Sequence, residues 1–127
     1  ELLQKGIPVQ YVLWRDDSVR LKSLIMNPEI YNTAINELKN ITVLYIDDLF
    51  KSGSMNSNSP SSADINLAFE IINYRYNNPE LVTIISSEYA MSDLKKIDIA
   101  IAGRIYERAK PFVYDITTGI DKNYRFK

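Results

Sequence analysis

The chain has 127 residues, 46% of them hydrophobic, enough for one domain with its own core and on the small side for an α/β sheet. Its 15 basic and 16 acidic side chains leave a net charge of −1, so no overall field draws it to nucleic acid, and any DNA contact has to come from a local patch or an assembled oligomer. Lacking His and Cys, it excludes Ser-His-Asp and Cys-His catalysis, disulfides and Cys- or His-ligated zinc; the remaining carboxylates, hydroxyls, Lys, Arg and Tyr suit Mg²⁺-dependent phosphate chemistry or no catalysis at all.

Val9–Trp14 (VQYVLW) is a short apolar run after Gly6 and Pro8 and reads as a strand. Asp16, Asp17 and Ser18 then offer an N-cap to a helix carrying Val19, Leu21, Leu24 and Ile25. Asn27-Pro28 breaks it, and a second helix sets Ile30, Tyr31, Ala34, Ile35 and Leu38 on one face. Ile41–Ile46 (ITVLYI) is a near-continuous apolar strand ending in Asp47-Asp48, and residues 51–63, rich in Ser and Asn, read as a flexible loop. Asp64 caps a helix to about Asn77 with Ile65, Ala68, Ile72 and Tyr76 on one stripe. Leu81–Ser87 (LVTIISS) is a further strand, Met91–Lys96 a short helix, and Asp98 caps a helix to about Ala109 that Pro111 stops. Phe112–Thr117 (FVYDIT) alternates like a last strand, and Asn123-Tyr124-Arg125 adds a short extension.

Unalternating strands separated by helices predict a single α/β domain with a parallel sheet covered on both faces. The longest apolar runs, such as Leu81–Ile85, are strand-length and far short of the roughly 20 residues of a membrane span. Glu1–Gly6 has no signal-peptide layout, so a cytoplasmic location without membrane contact is expected.

Three constellations could carry chemistry. Val43-Leu44-Tyr45-Ile46-Asp47-Asp48 brings two carboxylates out at the C-terminal edge of a strand, where open α/β sheets bind ligands. There one carboxylate can hold Mg²⁺ through water and its neighbour can orient or deprotonate an attacking water; a plain strand-end turn is the blander alternative. Ser86-Ser87-Glu88 ends the next strand at the same edge, where a hydroxyl or carboxylate could sense a phosphate, or simply cap the following helix. Arg104 and Arg108 share one face of the last helix, with Arg108 at the margin of its apolar stripe, placed to snorkel along the core edge, to pair with a buried carboxylate or to reach across a subunit boundary.

Taken together, the order VLYIDD, a Ser-rich loop, a helix ending Asn73-Tyr74-Arg75-Tyr76, VTIISSE and then AIAGRIYER resembles the DnaC/DnaI type of helicase loader within the AAA+ ATPases, over essentially the whole chain. The resemblance implies a three-layer P-loop NTPase core, with Asp47 holding Mg²⁺ and Asp48 as the catalytic carboxylate. It makes Ser87 or Glu88 the sensor, although Glu stands where the family has Asn-like residues. It makes Arg108, then Arg104, the arginine finger acting between subunits of a homo-oligomer. ATP and Mg²⁺ are the implied cofactors, and a replicative helicase and single-stranded DNA the implied partners. One departure stands out: none of Gly6, Gly53, Gly103 and Gly119 belongs to a G-x-x-x-x-G-K-[ST] phosphate loop. The chain is therefore expected to begin partway through the domain. In the family's sheet the missing strand lies between the one ending in Ser86-Ser87-Glu88 and the last, so the chain alone should bind and hydrolyse ATP poorly. An IstB-type transposition helper and a non-catalytic interaction domain on the same fold remain alternatives. A receiver domain does not, since no later strand ends in a phosphoacceptor Asp.

Overall fold

A computed structural model describes residues 4–52 and 59–116. It is an α/β structure with a three-stranded parallel sheet and five helices, in the order β1 (Val9–Leu13), α1 (Trp14–Ser23), α2 (Pro28–Asn40), β2 (Val43–Asp47), α3 (Ser62–Tyr76), β3 (Val82–Ile85), α4 (Met91–Ile97) and α5 (Ile99–Ala109). The strands lie in chain order, β1-β2-β3, with Tyr11 opposite Tyr45 and Tyr45 opposite Ile84.

Local chemistry accounts for the element ends and moves several of them from where sequence reading puts them. Helix α1 starts directly from β1, so Trp14 belongs to the helix, and Asp16, Asp17 and Ser18 lie inside its first turns rather than before it. Asp17 still works at the terminus: its Oδ2 accepts from the Leu13 amide at 2.9 Å. The buried stripe is Trp14, Ser18 and Leu21, whereas Val19 and Ile25 face solvent. Asn27 caps α2 and Pro28 occupies its first turn, where a missing N–H costs nothing. The cap of α3 is Ser61, and Asp64 is its capping-box partner three residues on, so the connecting loop ends before Ser62 and Ala63. Asp98 caps α5 as expected, its Oδ1 accepting from the Ile101 amide at 2.8 Å.

Two larger expectations fail. Residues Phe112–Ile116 form no strand; Phe112, Tyr114 and Ile116 stand exposed, and their backbone joins none of the three strands. Thr117 and Asn123-Tyr124-Arg125 lie outside the described residues. Among the described residues the sheet is also covered on one face only. Val12, Leu44 and Ile46 enter a single core with Leu21 (α1), Ile35 and Leu38 (α2), Leu67, Ala68, Ile71 and Ile72 (α3), Leu94 (α4), and Ile101 and Ala102 (α5). On the opposite face Tyr11, Val82 and Ile84 are 54%, 49% and 46% exposed. Handedness explains this. Parallel crossovers are right-handed, so strands added in one direction carry their helices on one side, and covering both faces requires a reversal of strand order. Among the described residues there is none.

The core is tied to the N-terminal ends of the strands by Arg75, near the end of α3 and only 2% exposed. Its Nη1 donates to the carbonyls of Leu38 (3.0 Å), Lys39 (3.1 Å) and Ile41 (2.8 Å) at the end of α2. Its Nη2 donates to Val82 O (2.7 Å) and Nε to Thr83 Oγ1 (2.7 Å), both in β3. Burial, and then the neighbouring Arg108, push the guanidinium down to about 10, which leaves it charged at neutral pH. Arg75→Met strands several carbonyls, each at about 1–3 kcal/mol, and is expected to lower stability by about 3–5 kcal/mol, read from the urea unfolding midpoint.

Candidate functional site

The C-terminal ends of β2 and β3 form the rim where sequence reading sets the chemistry. The register pairs Ile46 with Ile85, so the chain leaves the sheet with Asp47 beside Ser86. Asp47 shares the uncovered face with Tyr45, two residues back on its own strand, and with Tyr11 on β1. All three neighbours bond its carboxylate: Tyr11 donates to Oδ2 at 2.5 Å, and Ser86 Oγ (2.5 Å) and Tyr45 (3.4 Å) donate to Oδ1. The two tyrosine rings meet edge to face, with centroids 5.3 Å apart. Ser86 also accepts from the Asp48 amide at 3.1 Å, so one hydroxyl links the two acidic residues to the end of β3.

Beyond Asp47 the backbone turns sharply. Asp48 and Phe50 adopt left-handed φ values of 57° and 68°, which are unfavourable for a residue with a side chain and most unusual for a bulky aromatic. Fully buried Leu49 and Phe50 hold the turn, Phe50 packing edge-on against Trp14 at 5.8 Å. The Leu49 amide donates to Ser86 O at 2.9 Å, and Ser87 Oγ donates to Leu49 O at 2.9 Å. Asp48 itself stands at the lip of the sheet, and its carboxylate accepts no hydrogen bond from the described residues. Backbone strain of this kind, held by the surrounding core, gathers at functional sites.

Electrostatics separates the two acids. Hydrogen bonds from Ser86 and then Tyr11 hold the Asp47 carboxyl below its ordinary value, so it is ionised at any physiological pH. The same bond pushes the Tyr11 phenol up to about 12. Across the rim Lys51 pairs with Glu88 at 2.8 Å, and its ammonium is raised by Glu88 first, with a further contribution from Asp48. No group of three or more acidic ligands occurs among the described residues, so this is no self-sufficient metal cage. The pair does suit Mg²⁺, which keeps most of its waters and takes one or two carboxylates together with substrate phosphates.

The rim brings together Asp47, Asp48, Ser87 and Glu88 and leaves Arg104 and Arg108 elsewhere. Arg104 donates from Nε to Asn73 Oδ1 at 2.9 Å and lies over the Phe69 and Tyr76 rings. Exposed Arg108 donates to the carbonyls of Arg75 (3.0 Å), Tyr76 (3.2 Å), Pro79 (3.2 Å) and Leu81 (2.9 Å), clamping the turn that enters β3 at the end opposite Ser86. Within this chain, then, neither guanidinium reaches the acidic pair, and a neighbour's phosphate would have to compete with those carbonyls for Arg108. Sequence reading favoured Ser87 and Glu88, yet Ser86 is the residue that touches both acids; Tyr11 and Tyr45 were passed over as strand apolars. Register would have found all three, since they lie on one face beside or below Asp47.

Over 109 residues the chain is 30% identical to the phage-like element PBSX protein XkdC of Bacillus subtilis (strain 168), covering 84% of this chain and 38% of that protein. It is also 30% identical over 112 residues to the uncharacterized protein YqaM of the same organism, covering 87% of this chain and 34% of that protein. The chain thus spans about a third of the length of the curated relatives it matches. No protein-family model matches it. Among the described residues no helix is long and apolar enough to cross a membrane.

Because Asn tolerates the left-handed region and β-branched residues do not, Asp48→Asn should leave the melting temperature nearly unchanged. Asp48→Val should cost about 1–2 kcal/mol, measured by thermal or urea unfolding.

Proposed function

We propose that this chain is part of the ATPase core of a helicase loader of the DnaC/DnaI type, a P-loop NTPase that delivers a replicative helicase to single-stranded DNA. The observation that carries the reading is the division between two adjacent acids at the C-terminal rim of the central strand: Asp47 is held by three hydroxyls, while Asp48 stands at the lip with no hydrogen-bond donor among the described residues. Parallel strands in the order β1-β2-β3 and the run of motifs from VLYIDD to AIAGRIYER support it. Similarity to a protein of a phage-like element fits a factor that serves the replication of such an element's DNA.

In this reading Asp47 would hold Mg²⁺, which would supply charge neutralisation at the phosphates, and Asp48 would accept a proton from, or orient, the water that attacks the terminal phosphate. Ser86 keeps both acids aligned with β3, while Ser87 and Glu88 extend the same edge toward the nucleotide. A homo-oligomer would offer Arg108, or Arg104, to a neighbouring subunit's phosphate.

In the full-length protein, Asp48→Asn is expected to reduce ATP hydrolysis by roughly 10²–10⁴-fold, the usual contribution of a general base, while a fluorescent ATP analogue still binds as in the wild type. Equal turnover in that variant removes the assignment. Mixing an Arg108→Ala protein with an Asp48→Asn protein is expected to restore part of the rate that each lacks alone; no recovery in the mixture would rule out an arginine acting between subunits.

A further inference from the structure

The tyrosines beside Asp47 are out of keeping with a strand built only for packing. Tyr11 is 54% exposed, so its ring adds little to the core, yet its hydroxyl is directed onto Asp47 Oδ2. The register explains the reach. Leu13 lies opposite Asp47, and Tyr11 is two residues back on the same face, so a phenol spans the roughly 6–7 Å of strand between them. Ser86 approaches the other oxygen from β3, which places donors on both flanking strands around one carboxylate.

A carboxylate offers about four lone-pair positions on its two oxygens. Tyr11 donates to Oδ2, Ser86 and the longer Tyr45 contact donate to Oδ1, and the Asp48 amide adds a backbone hydrogen bond, so the carboxylate is held in one orientation. We propose that Tyr11 and Ser86 are positioning residues that hold the Asp47 carboxylate in one orientation toward a divalent cation. The inference rests on the nucleotide-binding reading above and deepens it. It divides the labour at the rim: Asp47 is immobilised from both flanks, and Asp48 remains free to meet the substrate. Outer groups of this kind orient a metal's partners and typically contribute 10–100-fold to metal affinity.

The test uses the full-length protein with Mn²⁺ as the probe cation and adenylyl-imidodiphosphate as the nucleotide. Bound Mn²⁺ is counted by electron paramagnetic resonance, and nucleotide affinity is measured separately without metal. Tyr11→Phe and Ser86→Ala are each expected to weaken Mn²⁺ binding to the nucleotide complex by roughly tenfold or more while metal-free nucleotide affinity is unchanged. Ser86→Ala also lowers the melting temperature, since it takes the acceptor from the Asp48 amide, whereas exposed Tyr11→Phe leaves it nearly unchanged. Ser86→Thr, which keeps the hydroxyl, is expected to retain the wild-type Mn²⁺ affinity. Unchanged Mn²⁺ affinity in both Tyr11→Phe and Ser86→Ala overturns the positioning role and leaves the loader reading intact. A parallel loss of metal-free nucleotide binding also overturns it, reducing these groups to parts of the fold. A wild-type protein that takes up neither nucleotide nor Mn²⁺ overturns both readings.

Discussion

A single buried cation holds this fold together. Arg75 reaches from α3 into the junction where α2 ends and β2 and β3 begin, and it donates to carbonyls on both α2 and β3. Among the described residues no carboxylate pairs with it. Its counter-charge is the negative end of α2, whose last carbonyls converge on the guanidinium. Arg108 repeats the device one layer out, gathering the carbonyls that close α3 and lead into β3. The spacing between helices and strands at this end of the sheet is therefore set by hydrogen bonds with fixed geometry, and the opposite rim, where the acids stand, inherits that rigidity through three short strands.

Much of this architecture was legible from the chain. The apolar runs, the Asn27-Pro28 break and the Asp98 cap all correspond to elements, because each depends on interactions within a few residues. What could not be read depends on distant partners. The alternation of Phe112–Thr117 resembles a strand, but alternation within a segment does not say which edge, if any, the segment pairs with. Continuous apolar strands suggested cover on both faces, yet the number of covered faces follows from the direction in which successive strands are added, and composition does not carry that information.

The candidate site divides in the same way. Asp47 and Asp48 were identifiable because an apolar run closing on two carboxylates marks the end of a strand within six consecutive residues. Ser86 and Tyr11 were not, because a hydroxyl's role depends on register across strands 30 or more positions apart, and register is a property of the assembled sheet. The left-handed turn at Asp48 and Phe50 was also out of reach: no glycine announces it, and it persists because Leu49 and Phe50 are locked into the core behind it.

One consequence follows from the position of β3. Among the described residues it is an outer strand, so the amides and carbonyls of Thr83 and Ile85 point away from β2, and one of its faces is uncovered by them as well. Its four residues include no lysine or proline of the sort that usually discourages edge-to-edge pairing. Such a segment is a template for self-association, and colloidal behaviour in solution will turn on whatever shields that single strand.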